Sequence, residues 1–322
     1  MRRSLFLLLS FSYSLPQQVC AGFNKELIPD YEITKNERDP AISEQKSIFV
    51  FSFKNIPLPA NITGARNGLQ KTIRTNAQGE YILPSVPGKY VFQLYYSSEF
   101  YEVTTDSIEI QPGYRMEIQI NFQSSIHPVM SEKPVIYLYP PKTTQVNLQL
   151  ELKGELGFTY PTYKNGWDLI ADPNGTLHVK DKTYSYVFWD GTTELNMSQI
   201  KWNEGYIVHQ ADLLSFLETK LLQMGLNSVE SQDFITYWYP PMSKNNQNYI
   251  HFIFNEEYDQ YAHLTVNPQP DHILRIYMIW TDATDIHNTQ LTEQTFPSFT
   301  RSGFSLVEWG GTHLTQINHK RE

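Results

Sequence analysis

Apolar side chains fall on every second residue in run after run of this sequence, and that spacing restricts the fold more than any other feature. Met116, Ile118, Ile120 and Phe122 alternate with Arg115, Glu117, Gln119 and Asn121, and Val146, Leu148, Leu150 and Leu152 alternate with Gln145, Asn147, Gln149 and Glu151. Successive side chains of an extended strand point to opposite faces, so each run reads as a strand with one apolar and one polar face. Tyr90, Phe92 and Leu94 repeat the pattern. Turn residues separate the runs, at Asn76–Gly79, at Pro112 and Gly113, at Pro173, Asn174 and Gly175, and at Asp190 and Gly191. Turns at intervals of about eight to twelve residues belong to antiparallel β structure. Aromatic residues make up 14% of the chain, 21 Tyr and 18 Phe among them, which suits strands better than helical bundles. The fold class expected is β-rich.

Two groups of strands emerge. The first comprises Ser47–Phe53, Lys71–Thr75, Glu80–Leu83, the run opened by Gly88, Ile108 with Ile110, and residues 115–122. It reads as a small antiparallel β-sandwich over residues 46–123, preceded by a polar arm over 22–45 that shows no apolar period. Ser124, Ser125, Pro128 and Ser131 give residues 124–132 the composition of a linker. The second group begins with Val135–Tyr139 and continues through Trp167–Ala171, Thr176–Val179, Tyr184–Trp189, Tyr249–Phe254, Ala262–Val266, His272–Trp280 and Phe304–Trp309.

The period changes to helical between the strand groups at 189 and 249. Leu213, Leu217 and Leu221 recur at helix spacing and Gly225 stands where a C′ glycine ends a helix. Asn227 followed by Glu230 reads as an N-cap with its capping-box partner, opening a second helix through Trp238 that Pro240 and Pro241 should end. Residues 133–314 are thus expected to be an α+β domain with a mainly antiparallel sheet and two helices, followed by a polar tail over 315–322.

The residues Thr75, Asn76, Gly79, Tyr81 and Leu83, then Pro87, Gly88, Tyr90 and Phe92, resemble the TDxxGxYxLxxLxPGxYxL pattern of carboxypeptidase regulatory-like domains. That resemblance runs from Ser47 to Phe122 and implies a transthyretin-like sandwich without catalytic residues, serving as a platform. The strings KPVIYLYP (Lys133–Pro140) and VEWGG (Val307–Gly311) resemble a group of exported bacterial proteins of unknown activity, so this second likeness implies export and supplies no activity or catalytic residues.

The first residues support export independently. Arg2 and Arg3 precede an apolar run from Ser4 to Leu15, and Val19 and Ala21 flank Cys20 in the small-x-small arrangement of a signal peptidase site. Residues 1–21 read as a signal peptide, with a lipid-modified Cys20 as the rival. The apolar run is too short for a transmembrane anchor. Cleavage removes the single cysteine, and with it any disulfide, thiolate nucleophile or cysteine metal site. The formal charge is −9 and cleavage makes it more negative, so nucleic acid is not an expected partner.

No HExxH, GxSxG, GxxxxGK(S/T) or GxGxxG string occurs, and neither a metal nor a cofactor is expected. Alternation nonetheless sorts three late strands into faces. If they are neighbours, Tyr249, His251, His263, Arg275 and Tyr277 line one polar and aromatic surface that suits a glycan or peptide ligand. Glu308, flanked in period two by Phe304 and Leu306, requires a partner, and Arg275 is the expected one. Tryptophan stands beside acid at Trp167 and Asp168, Trp189 and Asp190, and Glu308 and Trp309, which would send each acid to the face opposite its buried ring. The reading favoured is an exported, noncatalytic binding or envelope-associated protein. The alternative is an extracellular hydrolase of glycan or peptide using Glu308, Asp168 and the His251 face.

Overall fold

The structure of the chain, a computed structural model, describes residues 30–283 and 291–314. The signal segment 1–21 with Cys20, residues 22–29 of the expected arm and the polar tail 315–322 lie outside the described residues. Strands hold 53% of the described residues and helices 13%, and no described helix is long and apolar enough to cross a membrane. The described residues form two compact units, 30–127 with 196–200, and 128–195 with 201–283 and 291–314.

The smaller unit contains β1 (Tyr31–Arg38), β2 (Ser47–Lys54), β3 (Asn61–Arg66), β4 (Leu69–Arg74), β5 (Glu80–Ser85), β6 (Gly88–Tyr90), β7 (Phe92–Tyr95), β8 (Val103–Thr104), β9 (Ile108–Ile110) and β10 (Tyr114–Asn121). One sheet runs β1-β10-β2-β5, a second runs β4-β3-β7-β8, and β6 pairs with β9. Alternation builds the core between the two larger sheets. Phe49, Phe51 and Phe53 of β2 with Ile118 and Ile120 of β10 meet Ile62, Phe92 and Leu94 of the other sheet, each no more than 4% exposed. The β3–β4 hairpin turns at Asn67 and Gly68, both at positive φ (48° and 84°), the arrangement an Asn-Gly hairpin turn requires.

The expected N-terminal arm is in part a strand. β1 pairs antiparallel with β10 from Tyr31↔Ile120 to Arg38↔Tyr114. Its side chains are nearly all exposed, so backbone hydrogen bonds rather than burial hold it, and no apolar period announces it.

The larger unit contains most of β11 (Ile126–Tyr139), then β12 (Thr144–Leu152), β13 (Gly154–Tyr160), β14 (Trp167–Ala171), β15 (Leu177–Val179), β16 (Lys182–Tyr184), β17 (Val187–Asn196), β18 (Tyr206–His209), β19 (Gln247–Phe254), β20 (Ala262–Asn267), β21 (His272–Asp282) and β22 (Ser305–His313). The helices are α1 (Leu213–Met224), α2 (Ser228–Met242) and the short α3 (Asn255–Asp259). Residues 124–132 are therefore not an irregular linker, because strand β11 begins at Ile126. A central sheet runs β13-β17-β11-β22-β21-β19-β18, and a second runs β16-β15-β14-β12-β20.

α1 and α2 form where their end signals predict. Gly225 takes a left-handed conformation (φ 99°) and its N–H closes α1 on the carbonyls of Leu221 and Leu222. Asn227 caps α2, its side chain accepting from the backbone N–H groups of Val229 and Glu230 while Glu230 accepts from that of Asn227. Pro240 and Pro241 do not end α2, which continues to Met242. Their fixed φ is compatible with helical backbone, and the helix forfeits near its end only the two hydrogen bonds that their N–H groups would have donated. Both helices cover one face of the central sheet, burying Leu213, Leu217, Leu221, Phe234 and Trp238 against Ile250, Phe252, Leu274, Ile276, Val307 and Trp309.

The two unusual strings are neighbouring strands. β11 and β22 pair antiparallel with Val135↔Trp309, Ile136↔Glu308 and Tyr137↔Val307. A Cβ on Gly310 would stand 2.8 Å from the Pro134 ring, and one on Gly311 would stand 2.4 Å from the Met278 carbonyl oxygen. Both glycines are thus explained by close approach of the chain. The tyrosines of the first string reach α2, Tyr137 donating to Asp233 at 2.8 Å and Tyr139 to Glu230 at 2.7 Å.

Candidate functional site

The six residues singled out from the sequence do not make a ligand surface. β20 belongs to the second sheet beside β12, so His263 is on a different sheet from β19 and β21. Tyr249, His251, Arg275, Tyr277 and Glu308 share the central sheet, but none is more than 3% exposed. The run HILRIYMIW is almost continuously apolar, and β21 is buried on both faces, as a strand inside a covered sheet must be. α3 packs against β19, β20 and β21 and stacks Tyr258 on Tyr277, ring centroids 4.8 Å apart.

These residues are instead engaged with one another, with neighbouring side chains or with nearby backbone. Arg275 donates from Nε to Glu308 Oε2 at 2.5 Å and from Nη1 to Asp259 Oδ1 at 2.6 Å, with its guanidinium 4.5 Å from the Tyr258 ring centre. Trp189 Nε1 donates to Glu308 Oε1 at 3.1 Å. The pairing expected between Arg275 and Glu308 is present. Burial alone would loosen the guanidinium's proton, but Glu308 against it raises the pKa above the ordinary arginine value. His263, half exposed, bonds Asp259 Oδ2 at 2.5 Å. Tyr277 shares a hydrogen bond with Ser131 at 3.0 Å, and Tyr249 donates to the Glu204 carbonyl at 2.8 Å. Glu308 is fully buried and Asp168 stands exposed on β14 in the other sheet, so the carboxylates of the hydrolase alternative are not brought together.

His251 carries a pH dependence. It is 2% exposed with Nδ1 3.1 Å from the Glu204 carbonyl oxygen, and burial lowers its pKa. The unfolded chain binds a proton near the ordinary value of about 6.5, and the folded chain only at lower pH. This contribution is therefore complete above about pH 6.5 and is lost as pH falls through the folded value. Urea midpoints followed from about pH 7.5 to about pH 5.5 should fall less steeply for His251→Asn than for the parent chain. Parallel profiles would remove His251 from this role.

The exposed chemistry gathers at the other end of the central sheet. The helix-side core ends at Tyr186 and Phe188, both half-buried. Beyond them β13 is the sheet's edge, and Tyr160 lies directly opposite Phe188. Phe158 is 58% and Tyr160 52% exposed. The rings meet in pairs: Phe158 lies 5.9 Å from Phe188, Tyr160 5.3 Å from Tyr184, and Tyr186 5.4 Å from Tyr137. Lys133 reaches into this group, its ammonium 5.5 to 5.7 Å from the ring centres of Tyr186, Phe188 and Tyr237. A register slip in β11 between Glu132 and Val135 and a left-handed Lys133 backbone (φ 56°) aim it there. No ion pair involves Lys133 among the described residues.

Carboxylates border the rings. Tyr237 donates to Glu132 at 3.3 Å, Tyr137 donates to Asp233, and Asp190 accepts from the Phe158 backbone N–H at 2.6 Å. Burial raises the Glu132 pKa, and burial followed by the charge of Glu132 pushes the Tyr237 hydroxyl up to about 12. Sequence reasoning missed this shelf because Gly154 and Gly157 obscure β13. The available signal was the paired alternation of Phe158 with Tyr160 and of Tyr184, Tyr186 and Phe188.

No family model matches the chain. A curated relative, an uncharacterised protein in the bglA 3′ region of Butyrivibrio fibrisolvens, is 36% identical over 62 residues, 18% of this chain and 65% of that protein. The chain therefore spans slightly less than two thirds of that relative's length. A solved structure from Bacteroides uniformis, provisionally described as a carbohydrate binding protein, aligns with 48% of this chain and 99% of its own, at 9% identity and a TM-score of 0.19.

Proposed function

We propose that the protein is an exported, noncatalytic binding protein whose larger unit holds glycan on the β13–β17 aromatic shelf. One observation carries the reading: Phe158 and Tyr160 are more than half exposed on an edge strand, each against a further aromatic ring, Phe188 and Tyr184, and bordered by carboxylates. A sugar ring presents C–H groups on its flat faces and hydroxyls around its rim. Aromatic rings accept the first and carboxylates the second. Exposed aromatic clusters of this kind on a folded surface mark binding sites. Export rests on the charge and apolar zones of residues 1–21. The smaller unit serves as the platform that its likeness to carboxypeptidase regulatory-like domains implies.

The test is electrophoresis through gels containing neutral or acidic polysaccharides, followed by calorimetry with oligosaccharides of whichever retards the chain. Phe158→Ala with Tyr160→Ala should weaken binding at least about tenfold, equivalent to about 1.4 kcal/mol, with the melting profile unchanged. Retardation by no polysaccharide, or binding indifferent to both substitutions, would overturn the assignment.

A further inference from the structure

We propose that the smaller unit binds a single-chain anionic amphiphile of the free fatty acid type in a cleft between the edge strands β4 and β5. Strand parity identifies the side chains involved. Ile62 of β3 and Ile73 of β4 are cross-strand partners buried in the core, so Gly64, Arg66, Lys71 and Leu69 point the same way on the same hairpin. On the opposing sheet, Tyr81 and Leu83 of β5 lie beside Phe51 and Phe49 and face the same interior.

A closed sandwich would bury all of these positions. Here Leu69 is 76% exposed and Tyr81 and Leu83 are only half-buried. Between them lies a cavity of about 370 Å³ floored by Phe51, Ile73, Phe92 and Leu94, within the size range of small-ligand sites. Gly64 keeps it open, since a Cβ there would stand 3.2 Å from a Leu94 methyl group. β4 and β5 each end their sheets, so no further strand among the described residues closes the gap.

Charge selects the occupant. The lining contains Arg66 and Lys71 and no acid, in a chain of net charge −9. Arg66 is held by a 3.2 Å bond from Nη1 to Ser85 Oγ and by the Tyr90 ring, 5.5 Å from its Cζ. Inward-pointing charge on an edge strand also discourages strand pairing, but that purpose does not call for an apolar cavity beneath it. An acyl chain fills the floor, where each buried methylene contributes about 0.8 kcal/mol, and an anionic head meets the two cations at the rim.

The smaller unit contains no tryptophan, so binding is followed on the full chain with a dansyl-labelled undecanoate. Saturable enhancement, displaced by dodecanoate and at least about tenfold less well by dodecanol, is expected. Arg66→Glu with Lys71→Glu should remove that preference. Leu69→Asp, at an exposed position, should weaken both ligands without altering the melt, whereas Phe158→Ala and Tyr160→Ala should affect neither. Absence of saturable binding, equal displacement by acid and alcohol, or association only with anionic lipid vesicles and not with free dodecanoate overturns the proposal.

Discussion

Replacing Arg275 with alanine should destabilise the larger unit by about 3–5 kcal/mol, because it leaves Glu308 charged, fully buried and without its cation. The remaining donor, Trp189 Nε1, is neutral and cannot balance a carboxylate. Glu308→Gln should cost a comparable amount by stranding the guanidinium, of which only Nη1 would keep a carboxylate, Asp259. Arg275→Met with Glu308→Leu should recover much of the loss, since removing both charges removes both desolvation penalties. The readout is favourable, because all six tryptophans lie in the larger unit and their fluorescence follows its urea unfolding. A coupling energy near zero in the double-mutant cycle of Arg275→Met, Glu308→Leu and the two combined would show that the pair does not hold this face of the sheet together.

Trp238→Ala should be equally damaging, at about 3–5 kcal/mol. Trp238 is fully buried where α2 crosses the sheet, 4.8 Å from the Tyr237 ring, 6.3 Å from Phe234 and 6.5 Å from Trp280. The absent side chain of Gly311 makes room for it, since a Cβ there would stand 3.1 Å from the indole. Its indole N–H has no acceptor among the described residues, so Trp238→Phe forfeits volume but no hydrogen bond seen there and should cost clearly less than the alanine change. Equal losses for the two substitutions would mean that the ring does not pack as described.

Much of the secondary structure was legible because its causes are local. Alternation marked β10 and β12, short apolar runs marked β2 and β21, and Gly225 and Asn227 marked where α1 stops and α2 starts. β1 and β13 were not legible: β1 is a strand by pairing and not by burial, and β13 is broken up by Gly154 and Gly157. α3 is only five residues long, too short to show a helical period. Pro240 and Pro241 misled in the other direction, because a proline whose φ already suits a helix need not end one.

The sequence by itself determined the fold class, the course of most strands, the helix caps and the need of Glu308 for Arg275. All of these follow from side-chain period, backbone preference and the cost of a lone buried charge, which act within a strand or between two residues. Tertiary structure alone decided which strands are neighbours and which faces are covered. A strand's period says that it has two faces, not what lies against each. For that reason the His251 face, polar enough to suggest a surface, is interior, while Phe158 and Tyr160, apolar enough to suggest a core, stand exposed at the end of a sheet whose helices stop short of them.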